Sequence, residues 1–169
     1  VAGAELSGDG APAVLAGAGA GGGPRVAVFD GSTLAVGGVP GRVGGDFFAF
    51  EPTLRDGAYV AAADVTGDGV VDLIVGAGPG GAPRVTAFDG AALRAGRRTA
   101  AADFFAGDVG LRGGVPVAAV DADGDGVADV VAGAGVSSPG RATAYRLNGT
   151  AVRSYDAFGD AFTGGAFVG

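Results

Sequence analysis

Oxygen-bearing side chains recur at one spacing in two places. In "DVTGDGVVD", Asp64, Thr66 and Asp68 stand at positions 1, 3 and 5 and Asp72 at position 9; in "DADGDGVAD", Asp121, Asp123, Asp125 and Asp129 fill the same places. A tight loop turns alternate side chains inward, and its glycines permit the backbone that this requires. The carbonyl at position 7, of Val70 or Val127, adds another oxygen. Such a cluster suits Ca2+, which accepts about six to eight oxygens in a flexible geometry, and four carboxylates in one loop repel one another without a cation. A third, degenerate loop, "ELSGDGAPA", keeps Glu5, Ser7 and Asp9 but has Ala13 where the last Asp should be and Pro12 beside it. It is expected to bind weakly or not at all. Asp and Gly as mere turn formers would explain one such loop; two full matches at the same place in a repeat favour a metal.

The rest of the composition narrows the chemistry. With no Cys and no His, disulfides and thiolate or imidazole metal sites are excluded, leaving the oxygen ligands of calcium or magnesium. Nucleophile–imidazole catalysis is excluded for the same reason. The net charge of −7, with 11 basic residues that are all Arg, argues against nucleic acid and against an anionic membrane surface as partners. No uninterrupted apolar run is long enough for membrane insertion as a helix. The chain opens on Val1 with neither Met nor a basic leader, so a processed or trimmed piece is expected.

What must position the loops is a repeat. "AELSGDGAPAVLAGAGAGGGPRVAVFDG" (4–31), the stretch 63–90 and the stretch 120–149 align almost without gaps, and a second block recurs from Asp46, Asp103 and Ser154. The unit is just under 60 residues, which divides the chain into 1–59, 60–116 and 117–169, the last running into the start of a fourth copy. Each copy reads as four short strands. In the second they are 58–63, 73–77, 83–88 and one near 99–105, with "AALRAGRR" (91–98) read as a loop because of Gly96. Asp30-Gly31, Asp89-Gly90 and Asn148-Gly149 read as two-residue type I′ hairpins. The expected fold is all-β: propeller blades of four antiparallel strands, each too small to bury a core without its neighbours.

Other motifs are weaker. Position 12 of the loops is Val75 or Ala132 and the flanks are strands, which excludes an EF-hand or dockerin loop. "GAGPGG" (76–81) fits a dinucleotide fingerprint, yet Pro-Arg and a strand follow instead of a helix, so nucleotide binding is rejected. Arg25, Arg84 and Arg141 recur at strand starts and are expected to pair with an Asp of the adjacent blade or to lie over apolar surface. Asp46, Asp103 and Asp108 are expected to solvate strand ends. Phe47, Phe48, Phe104, Phe105 and Tyr155 are expected in the packing between blades, one ring of each pair pointing to the other face. Asn148-Gly149-Thr150 is formally a glycosylation sequon.

The D-x-[DT]-x-D-G-x-x-D loop, the apolar strand after it and Gly76-Ala77-Gly78-Pro79-Gly80-Gly81-Ala82-Pro83 resemble the FG-GAP repeat of integrin α-subunit propellers and their bacterial relatives, over essentially the whole chain. The third copy departs from the motif, with "SSPG" (137–140). The resemblance implies one blade per repeat, calcium in the acidic loop, and a ring of several blades, roughly four to eight. Three repeats fall short of that, so the partners expected are other blades, from a longer chain or by self-association. Because Val168 occupies the repeat position of Val1, a two-chain ring would supply that strand position twice, and a piece of a longer array is favoured. The function expected is a non-catalytic, calcium-stabilised scaffold or adhesion module, extracellular or at the cell surface, with a protein or glycan ligand. The alternatives are a lectin and, behind it, a polysaccharide-degrading enzyme built on carboxylates and Arg.

Overall fold

In a computed structural model, which describes residues 1–6, 10–34, 37–39, 41–159 and 161–169, the chain folds into three four-stranded antiparallel sheets. Sheet 1 holds β1 (Ala2–Ala4), β2 (Ala13–Gly17), β3 (Arg25–Phe29) and β4 (Arg42–Phe48). Sheet 2 holds β5 (Ala58–Ala63), β6 (Asp72–Ala77), β7 (Arg84–Phe88) and β8 (Ala100–Phe105), and sheet 3 holds β9 (Val117–Val120), β10 (Asp129–Gly133), β11 (Arg141–Tyr145) and β12 (Ala151–Asp156). Strands follow one another in order within every sheet, and the registers coincide: Ala2 faces Leu15, Ala61 faces Ile74 and Ala118 faces Val131. The strands expected in the second copy therefore form within a residue or so of their places.

The sheets join through their first strands. β5 packs against β1 and β2, and β9 against β5 and β6. One feature of the second strand permits this closeness. A side chain at Gly17 would collide with the Ala58 carbonyl, and one at Gly76 with the Val115 carbonyl. The space left by the missing Cβ is bridged by backbone hydrogen bonds, from Ala58 N–H to the Ala18 carbonyl and from Val115 N–H to the Ala77 carbonyl, each 2.9 Å. Around this seam lies one apolar core, with Leu15, Val26, Leu73, Ile74, Val75, Val85 and Val130 fully buried. Phe47 meets Phe88 edge-on at 5.1 Å across the first junction, and Phe104 meets Tyr145 at 5.5 Å across the second. Phe48 and Phe105, one residue on, turn outward and are half exposed, as strand alternation requires.

The connections between third and fourth strands differ from the expected hairpins. Asp30-Gly31 opens helix α1 (Gly31–Leu34) and Asp89-Gly90 opens α2 (Gly90–Arg94). Asp89 caps α2 by accepting from Ala92 N–H at 2.7 Å. Ala-Ala-Leu-Arg favours the helix, and Gly96, with φ of +72°, ends it: Gly96 N–H reaches the Leu93 carbonyl and Arg97 N–H the Ala92 carbonyl. Thus Gly96 terminates a helix where it was read as a sign of a loop. At Asn148-Gly149 only the glycine has positive φ. Arg146 N–H bonds to the Thr150 carbonyl and Gly149 N–H to the Arg146 carbonyl, a three-residue hairpin loop with a glycine bulge rather than a type I′ turn.

Overpacking of the seam gives a test. Gly76→Ala is expected to cost about 1–3 kcal/mol in urea unfolding, because its Cβ would strike Val115 and lie 2.8 Å from Val117 Cγ1. Gly19→Ala, where a Cβ meets nothing within 4 Å, should stay within about 0.5 kcal/mol of the parent.

Candidate functional site

Each acidic loop joins the first strand of a sheet to the second, so its carboxylates stand where two strands meet. In sheet 3 the fold brings Asp121, Asp123 and Asp129 together, with one oxygen of each within 4.8 Å of the others. Asp121 accepts from Gly124 N–H at 2.6 Å and from Gly126 N–H at 3.0 Å, so the position-1 carboxylate shapes the loop. Glycines 124 and 126 have φ of +82° and +88°, as the sequence pattern requires. Asp125 stands apart from the trio, accepting from Val127 N–H at 2.9 Å. Among the described residues no second group of three acidic side chains lies this close.

The loop of sheet 2 has the same frame and a different distribution of work. Asp64 accepts from Gly67, Asp68 and Gly69 N–H, and Asp68 from Val70 N–H. Thr66 Oγ1 lies 3.4 Å from Asp64 Oδ1. Asp72 is fully buried. It accepts from Val65 and Thr66 N–H through Oδ2 and from Gly90 N–H through Oδ1, all at 2.9–3.0 Å. The position-9 carboxylate of this copy therefore ties the loop to the start of α2. Burial raises its pKa from the ordinary 3.8, against the pull of those three donors. Neighbouring loops also touch: Ala128 N–H bonds to the Asp64 carbonyl at 3.1 Å.

Two arginines missed in the sequence reading reach the acidic loops. Arg146 places Nε and Nη2 on Asp123 Oδ2 at 3.1 and 2.6 Å, and this bonding holds the Asp123 carboxyl below its ordinary range. The repeat alignment carries the signal, since Arg146 stands where the other copies have Asp30 and Asp89. Arg94, at the end of α2, reaches back to Glu5 Oε2 at 3.1 Å and to the Leu6 carbonyl at 3.0 Å. Glu5 of the degenerate loop is thus paired with an arginine of sheet 2; Ser7 and Asp9 lie outside the described residues. Among the described residues no arginine pairs with Asp64, Asp68 or Asp72.

Two of the repeated arginines, Arg25 and Arg84, pair with carboxylates nearer than expected. Arg84 forks onto Asp103 on the next strand of its own sheet, and also meets Glu51 at 2.9 Å from the connection preceding that sheet. Its guanidinium lies 5.6 Å from the Phe50 ring centre. Arg25 pairs with Asp46, which Arg42 also approaches. Asp46 and Asp103 therefore clamp arginines across strands where solvated strand ends were expected; Asp108 caps a turn through Gly110 N–H. In sheet 3 the place of Asp46 and Asp103 is taken by Ser154, whose hydroxyl is 2.9 Å from that of Thr143.

Comparison with known proteins returned no matching family model and no matching curated protein.

Both position-9 carboxylates are buried and brace their loops, Asp72 through three backbone N–H groups and Asp129 through Ala122 N–H at 3.1 Å. Asp72→Ala strands two buried N–H groups and the half-buried one of Thr66, so it is expected to lose about 3 kcal/mol in chemical unfolding, by equal amounts with calcium and with chelator. A loss confined to the calcium sample would assign Asp72 to the metal instead.

Proposed function

We propose that the chain is a calcium-stabilised run of three propeller blades acting as a non-catalytic scaffold or adhesion module outside the cell. The observation that carries this is the trio Asp121, Asp123 and Asp129 at the strand junction of sheet 3. Two ligands of one calcium ion stand at most about 5 Å apart, and these oxygens lie within 4.8 Å of one another, all of them the hard donors that calcium selects. Asp121, Asp123 and Asp129 would hold the ion, with Asp125 and the Val127 carbonyl nearby in the chain. In sheet 2, Asp64, Thr66, Asp68 and the Val70 carbonyl would do the same, with Asp72 bracing the loop. Bound calcium supplies a crosslink between loop and strand and cancels the repulsion of the carboxylates. Loops with four or five protein oxygens suit the affinity of extracellular modules, roughly 0.1–1 mM.

Three sheets of one topology, the second and third each leaning its first strand on the sheet before, support the propeller part of this reading. The same arrangement is in keeping with the likeness to FG-GAP blades, which implies the ligand that the acidic loops themselves point to. The partners proposed are other blades and a protein or glycan ligand. A lectin is the second reading, favoured by the half-exposed rings of Phe48 and Phe105, and a glycan array discriminates it.

Thermal melting tests the metal role. Asp121→Asn, which keeps one of the two oxygens that accept from Gly124 and Gly126 N–H, is expected to abolish most of the rise in Tm that millimolar calcium gives the parent chain, with a smaller fall of the Tm in chelator. Equal losses in both conditions would refute it.

A further inference from the structure

The two junctions between sheets share one frame and are filled differently. Ala49 N–H bonds to the Pro24 carbonyl, and Ala106 N–H to the Pro83 carbonyl, at 2.8 Å; Leu54 N–H bonds to the Glu51 carbonyl, and Leu111 N–H to the Asp108 carbonyl, at 3.0 Å. The connection into sheet 3 therefore matches the one into sheet 2 residue for residue, with Gly107 at the place of Phe50. On the fourth strands, Ser154 faces Thr143 as Asp103 faces Thr86.

In the first junction that space is full. Phe50 is buried beneath Arg84, Arg84 forks onto Asp103, and Thr86 beside them is buried too. In the second junction the ring and the carboxylate are both missing, and a cavity of about 400 Å3 stands there. Gly107 forms part of its wall, as does Arg141, the counterpart of Arg84. Ala106, Leu111 and Pro139 give it apolar surface, while Thr143, half-buried where Thr86 is buried, and Ser154 give it two hydroxyls. Its size falls among small-molecule sites, roughly 300–1,000 Å3. Arg141 is the charged group among the described residues that line it, and no carboxylate does. In a chain of net charge −7, such a site selects an anion.

We propose that the cavity between sheets 2 and 3 binds a small aromatic carboxylate, whose ring takes the place of Phe50 and whose carboxylate takes the place of the Asp103 side chain. The ring lies against Leu111 and the Arg141 guanidinium. The carboxylate accepts a bidentate pair from Arg141, with the Ser154 hydroxyl as a further donor. Arg84 serves two carboxylates at once, Asp103 through Nε and Nη2 and Glu51 through Nη1. An arginine at this position therefore has donors for a ligand beside a partner of its own. A phenyl ring joined to a carboxylate by a short aliphatic chain meets both requirements, and that pair of groups occurs in free phenylalkanoic acids and in a peptide ending in phenylalanine.

Amide NMR of the full chain, titrated with phenylpropionate in chelator so that the acidic loops stay out of the reading, tests this. Saturable shifts are expected at Gly107, Leu111, Gly135 and Thr143, with a Kd on the order of 1 mM for so small a ligand, and none at Ala49, Leu54 and Thr86 in the filled junction. Propionate, which lacks the ring, and phenylpropanol, which lacks the charge, should each bind about tenfold more weakly or worse. Gly107 has φ of +103°, so a phenylalanine there would strain the backbone, and the carboxylate is the half to restore. Ser154→Asp and Arg141→Gln should each weaken phenylpropionate by about tenfold, whereas Arg153→Gln, on the other side of β12, leaves it unchanged. Circular dichroism confirms that each variant is folded. An acetylated peptide ending in phenylalanine that binds more tightly than the free acid places the ligand on a protein C-terminus, and one that binds more weakly makes it a free acid. Shifts that do not saturate, or that appear alike in both junctions, overturn the proposal. So does an affinity shared by propionate and phenylpropanol, or one that neither Ser154→Asp nor Arg141→Gln changes.

Discussion

The backbone contact between the first strand of one sheet and the glycine of the second strand in the sheet before is what the rest of this structure depends on. Gly17, Gly76 and Gly133 leave room for a carbonyl where any side chain would intrude. Hydrogen bonds from Ala58 and Val115 then fix the separation of neighbouring sheets. Given that spacing, the aromatic residue on each fourth strand can bridge to the next sheet. Arg84, at the start of the third strand of sheet 2, also gathers carboxylates from its own sheet and from the preceding connection. A four-stranded sheet with one covered face would be a marginal object; sharing faces turns three of them into one core.

The acidic loops sit at one end of this stack, where like charges crowd and the core cannot relieve them. Their electrostatics is managed differently in each repeat. Arg94 reaches Glu5 and Arg146 reaches Asp123, whereas the loop of sheet 2, which like that of sheet 3 turns its carboxylates onto its own N–H groups, receives no arginine among the described residues. Backbone donors and an arginine can shape a carboxylate cluster, but neither supplies the double charge of a divalent cation. Because the loops of sheets 2 and 3 touch, a charge held in one also bears on the junction between the sheets.

Much of this was legible in the residues. The repeat spacing placed the strands, and the alternation within Phe-Phe placed one ring inward and one outward. The loop glycines marked backbone that only they adopt freely. The misreadings came from local signals with two meanings. Asp-Gly opens a hairpin or caps a helix, and the Ala-Ala-Leu-Arg that follows Asp89-Gly90 decides for the helix. Asp72 reads as the fourth metal ligand, and the fold adds a tie that the spacing does not show, to Gly90 N–H, 18 residues away across a third strand. Arg146 was visible only by comparing repeats, as a charge reversal at a position otherwise held by Asp.

The central claim is that calcium is held by the loops of sheets 2 and 3. Amide NMR during a calcium titration reads this directly. The account predicts saturable shifts at Gly67, Gly69, Gly124 and Gly126 and little change at Glu5 and Leu6 of the degenerate loop. Amides that do not move, or that move alike in all three loops, would contradict it.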